Sequence, residues 1–79
     1  MNFSDALNSI KSGAKAYREG WNGKGLRIQI QRPDEGSMMT LPYIYMSYPE
    51  DAKTTPGCKV PWIASQTDML ADDWYAEPI

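Results

Sequence analysis

Leu26-Arg27-Ile28-Gln29-Ile30-Gln31 alternates apolar and polar side chains without a break. Successive residues of a strand point to opposite faces, so this run reads as a half-buried strand with Leu26, Ile28 and Ile30 on one face. A sheet with one covered face is therefore the element around which the chain must fold. Only 79 residues are available to cover it. A chain of that size makes one domain and buries roughly 60–65% of the surface its unfolded form exposes. One such core gives little stability, and burying more surface between subunits is a remedy.

The remaining elements fall around that strand. Phe3, Ala6, Leu7 and Ile10 form one apolar stripe, predicting a helix over residues 4–12. Ser4 is its expected N-cap, Asp5 suits the positive end of its dipole, and Gly13 fits the left-handed position after it. A strand is expected over 15–18. A third covers 40–47, where Pro42 implies an edge position or the strand start, and a fourth covers 58–62, with Pro61 as another edge-type proline. Residues 19–25, with three glycines and an Asn-Gly pair, make a turn, and 33–37 and 48–57 are loops. Ser65-Gln66-Thr67-Asp68 has capping-box form, with Asp where Glu or Gln is usual. A short helix through Ala71 should follow, with Met69 and Leu70 turned inward, and Trp74-Tyr75-Ala76 returns as a last strand. The order of helix, two or three strands, helix and strand predicts a small α+β domain over 1–79. It is built on an antiparallel sheet, with an N-terminal helix and a short helix near the C-terminus.

Composition removes several kinds of chemistry. Histidine is absent, which excludes Ser/His and Cys/His nucleophile pairs and histidine-based zinc or haem sites. Cys58 stands alone, so no internal disulfide or multi-cysteine metal cluster is possible, and a reducing cytosol suits the chain. No cofactor is implied. The net charge is −2 and the pI about 4.9, which disfavours long DNA or RNA. The charge is uneven. Residues 1–32 carry six basic side chains against Asp5 and Glu19 (+4), and residues 33–79 carry Lys53 and Lys59 against eight acids (−6). Such polarity suits self-association between unlike faces or a small anion near the N-terminal half; a solvated surface is the plainer alternative. No apolar run approaches the ~20 residues of a membrane span. No signal peptide is expected from Met1-Asn2-Phe3-Ser4-Asp5.

Three constellations carry possible chemistry. In Arg18-Glu19-Gly20-Trp21-Asn22-Gly23-Lys24-Gly25, an indole sits on a glycine-rich turn. It is either a lid over the sheet edge or a stacking platform. In the second case the glycines, Gly23 among them, admit close backbone approach. Asn22 offers donor and acceptor to a base edge or ribose, and Arg18 and Lys24 reach phosphate. The loop lacks the Walker A pattern. In Val60-Pro61-Trp62-Ile63-Ala64-Ser65-Gln66-Thr67-Asp68, Trp62 precedes a helix N-terminus where free N–H groups favour anions. Ser65 and Asp68 cap that helix, which leaves Gln66 and Thr67 open to ligand contact. Asp68, Asp72 and Asp73 could in principle do acid/base work, but acids flanking a short helix are usually caps. Met38, Met39, Met46 and Met69 read as core or interface filler.

Met1-Asn2-Phe3-Ser4-Asp5-Ala6-Leu7, the Trp21 block, Leu41-Pro42-Tyr43-Ile44 and the run from Val60 to Trp74 together resemble a small phage and prophage domain. Its members include the second type of Thoeris anti-defence sponge. The resemblance spans nearly the whole chain. It implies a non-enzymatic protein that binds glycocyclic ADP-ribose, the cyclic ADP-ribose isomer made by the Thoeris TIR enzyme, and holds it uncleaved. The effector then stays silent in the cytoplasm of the infected bacterium. It also implies a homotetramer with ligand pockets shared between subunits, and in some relatives binding of cyclic oligonucleotides. Carried over, it puts Trp21 and Asn22 in one pocket wall, and Trp62 with the turn from Ser65 to Asp68 in another. Two other readings stand beside it. One is a phage accessory module that binds a host or virion protein through its tryptophan surface. The other is a magnesium-dependent nucleotide hydrolase using Asp68 and Asp73.

Overall fold

A computed structural model describes residues 1–21 and 23–77. The elements run α1 (Phe3–Lys11), β1 (Lys15–Arg18), β2 (Arg27–Gln31), β3 (Tyr43–Ser47), β4 (Lys59–Pro61), α2 (Gln66–Leu70) and β5 (Trp74–Glu77). The strands form one five-stranded antiparallel sheet in the order β4-β3-β2-β1-β5. The α+β expectation holds, with four strands rather than two or three before the second helix. Pro42 lies just outside β3, which is an inner strand, so the proline marks a strand start. Pro61 lies on β4, an edge, where a missing donor costs no ladder bond.

Register sorts the side chains. Ala16 pairs with Ile28 and with Ala76, and Ile28 with Met46, so these residues share the face that meets α1. The core consists of Ala6, Ile10, Ala16, Ile28 and Trp74, all fully buried, with Phe3, Trp21, Ile30, Ile44, Met46 and Trp62 packed around it. The opposite face carries Tyr17, Arg27, Gln29, Tyr45 and Tyr75. There the Tyr45 hydroxyl and Gln29 hydrogen-bond at 3.0 Å.

Two sequence expectations about the helices are corrected. The N-cap of α1 is Asn2, whose Oδ1 accepts from the Asp5 amide at 2.9 Å; Ser4 lies inside the helix. Asn and Ser are comparable caps, and the Asn2 choice starts the helix one residue earlier, at Phe3. Met69 and Leu70 do not turn inward: they are 38% and 79% exposed. A five-residue helix offers one inward position per turn, and Asp68 takes it. Gly13 does close α1 in the left-handed region, at φ 101°.

Candidate functional site

The capping of α2 organises the site. Ser65 Oγ accepts from the Asp68 amide at 3.0 Å, and Asp68 Oδ2 accepts from the Ser65 amide at 3.2 Å. This reciprocal pair satisfies two donors that a helix start leaves free. It also fixes Asp68 with its other oxygen toward the sheet. There Oδ1 accepts from Arg18 Nη1 at 2.9 Å and from Trp21 Nε1 at 3.2 Å. The Asp68 carbonyl accepts from Trp74 Nε1 at 2.9 Å. Arg18 Nε donates to Asp73 Oδ1 at 2.8 Å, and the Gly20 amide donates to Asp73 Oδ2 at 2.8 Å. One guanidinium thus ties the turn after β1 to α2 and to the start of β5.

The electrostatics follow from this geometry. Burial alone would push the Asp68 carboxyl up, but hydrogen bonds from Arg18, Trp21 and Ser65 outweigh it and hold the group below its ordinary value. The Arg18 hydrogen bond holds Asp73 down as well, against a weaker effect of burial. Arg18 is raised, by Asp73 first and then Asp68. Both carboxylates are therefore charged at neutral pH. Neither is a proton donor there, and both carry their charge into the ion pairs with Arg18.

Above this network four aromatic rings interlock. Trp74 is fully buried, with its centroid 5.3 Å from Phe3, 5.3 Å from Trp21 and 6.1 Å from Trp62. Trp21 and Trp62 lie 6.4 Å apart and nearly edge to face. Such pairs favour edge-on geometry because the electron-rich face of one ring meets the positive edge of the next.

A recess of about 280 Å³ opens beside Trp21, with walls from Tyr17, Arg18, Lys24, Leu26 and Arg27. The Arg27 guanidinium lies 3.9 Å over the Tyr17 ring and pairs with Glu77. Tyr17 stacks on Tyr75 at 5.5 Å. The charge of Glu19 raises the Tyr75 hydroxyl. On the other side of the same turn a larger recess, about 470 Å³, is lined by Leu26, Tyr48, Pro49, Lys24, Lys53 and Thr54.

Among the residues singled out in the sequence, Arg18, Trp21, Ser65 and Asp68 come together in one hydrogen-bonded group. Gly23 lines both recesses. Trp62 joins the aromatic cluster but lines neither recess. Gln66 and Thr67 are exposed on the first turn of α2. Asn22 lies outside the described residues. Sequence reasoning missed Tyr17 and Arg27. Their only signal was that each is the outward residue of a strand bordering the glycine turn.

A family model described as the Thoeris anti-defense 2-like domain matches residues 1–76. A curated relative, "Thoeris anti-defense 2" of Bacillus phage SP01, is 32% identical over 82 residues, covering 94% of this chain and 91% of that protein.

Proposed function

This chain belongs to the Thoeris anti-defense 2-like family, and on that premise we propose that it is a phage anti-defence protein that captures a cyclic ADP-ribose-type signal, glycocyclic ADP-ribose, without cleaving it. The observation that carries this reading is the recess beside Trp21. It offers the Trp21 ring and the side chain of Lys24, with Glu19 on the same wall; the Tyr17 ring lies between Arg27 and Tyr75, and Arg27 is paired with Glu77. Purine stacking contributes about 1–3 kcal/mol per base. Charge-assisted hydrogen bonds to a diphosphate add about 1.5–3 kcal/mol each. Nanomolar affinity, about −12 kcal/mol, takes two stacks with two or three such bonds in a preorganised pocket, more than one recess supplies. The network around Asp68 supplies preorganisation.

The recess beside Trp21 holds too little by itself. Small-molecule pockets are typically about 300–1,000 Å³, and the recess is about 280 Å³ and open. A second copy would close it. The exposed surface supports this. The chain exposes 5684 Å², against about 4,800 Å² expected for a folded monomer of its mass. The surplus is close to the ~800 Å² that each partner buries in a standard interface. A homotetramer with shared pockets, acting in the cytoplasm of the infected host, is the assembly proposed.

Mixing the protein with glycocyclic ADP-ribose, filtering it and then denaturing the retained fraction tests the reading. Intact ligand should return. Absence of retention, or return of a cleaved product, would overturn it. The alternative of a module that binds a host or virion protein is favoured by the exposure of Met38 (93%), Leu41 (75%) and Ile63 (90%). A stoichiometric protein partner recovered from infected cells, together with no nucleotide retention, would select that alternative.

A further inference from the structure

We propose that Arg18 and Asp68 are positioning residues: together they fix the Trp21 indole as the wall of the recess and neither touches the bound ligand, whose anionic group is met by Lys24. This rests on the reading that the recess beside Trp21 holds the signal.

The indole has a single polar hydrogen, and Trp21 Nε1–H is given to Asp68 Oδ1 at 3.2 Å. Trp21 therefore offers a ligand only its ring. Asp68 has little left to offer. Oδ1 serves Arg18 and Trp21, and Oδ2 serves the Ser65 amide. Its side chain is only 13% exposed.

Arg18 is committed through two of its three nitrogens. Nε and Nη1 are held by Asp73 and Asp68, so the guanidinium and its two carboxylates carry a net charge of one negative unit. A phosphate approaching this group meets repulsion, although the residue is an arginine on a recess wall. Lys24 differs. It takes part in none of the ion pairs among the described residues, it is exposed, and it lines both recesses.

Two readouts separate positioning from contact. The first uses ligand-free protein. The Trp21 indole N–H resonance, identified by its loss in Trp21→Phe, should shift in Asp68→Asn, an isostere that keeps the helix cap, and in Arg18→Lys, which keeps the charge but loses the fork. It should stay in place in Lys24→Gln. The second is calorimetric titration with glycocyclic ADP-ribose at low and high salt. Asp68→Asn and Arg18→Lys should weaken capture roughly tenfold or more through lost preorganisation, with the salt dependence of the parent protein. Lys24→Gln should flatten that salt dependence, because screening acts on the charge it removes.

An indole resonance that stays in place in Asp68→Asn would overturn the proposal. So would full capture by Arg18→Lys, or salt dependence that survives in Lys24→Gln. A parent protein that retains no ligand would defeat the proposed function instead, and the indole resonance would still decide whether Asp68 and Arg18 position Trp21.

Discussion

Trp74 is the residue on which most of the others converge. It is fully buried, contacts three aromatic rings and donates its indole N–H to the Asp68 carbonyl. Replacing it with Ala should cost about 3–5 kcal/mol. A domain of this size holds in total only about 0.05–0.15 kcal/mol per residue. Trp74→Ala should therefore lose a large share of its stability, read as a lowered urea midpoint; an unchanged midpoint would show that the ring is not the centre of the core. The sequence placed Trp74 on a strand without assigning it to the core. The deciding fact is its register opposite Arg18, which no local pattern reveals. The capping pair Ser65 and Asp68 was legible, because it depends on a spacing of three. The hydrogen bonds that Asp68 accepts from Arg18 and Trp21 were not, because those residues lie 50 and 47 positions away.

At the scale of elements, the Arg18 clamp ties α2 to β1 and braces the start of β5, which the ladder already pairs with β1. A helix of five residues has no stability of its own, so α2 depends on this clamp and on its cap. Asp68 and Asp73 both have folded-state pKa values below the ordinary carboxylate range. In acid the unfolded chain therefore takes up protons first. The contribution is complete above the ordinary Asp value of about 3.9 and is lost as pH falls through it toward the lowered folded values. Melting temperature should thus stay level from neutral pH to about pH 5 and drop below it, and Asp68→Asn and Asp73→Asn should each lessen the drop. An equal acid response in both variants would mean that other carboxylates carry it. The turn between β1 and β2 depends on Gly25, which has φ 87° and would bring a Cβ to 2.9 Å from Pro49 Cβ. Gly25→Ala should cost about 1–2 kcal/mol and lower the melting temperature by several degrees. An unchanged melting temperature would show that the turn does not need that conformation. The strands were legible from alternation and turn residues, including the whole of β1. The inward placement of Met69 and Leu70 was misread, because so short a helix has room for one buried residue and Asp68, held by Arg18, fills it.

For the whole molecule, the surface is larger than a chain of this mass should leave exposed, and the recess beside Trp21 is open on one side. Both suit the proposed assembly of several copies. Native mass measurement should return a multiple of 8.9 kDa, four copies in the proposed assembly; a monomer at micromolar concentration would remove the shared pocket. The family was legible from blocks that include the two tryptophan runs, whereas the recess itself was not, since Tyr17 and Arg27 reach it only once β1 and β2 pair. The central claim is that a flat purine rests against the Trp21 ring. Calorimetric titration of glycocyclic ADP-ribose into the parent protein and into Trp21→Ala, both confirmed folded, tests it most directly. Tight binding by the parent and a loss of at least about tenfold in the variant is the predicted result. Equal affinity in the two proteins would contradict it.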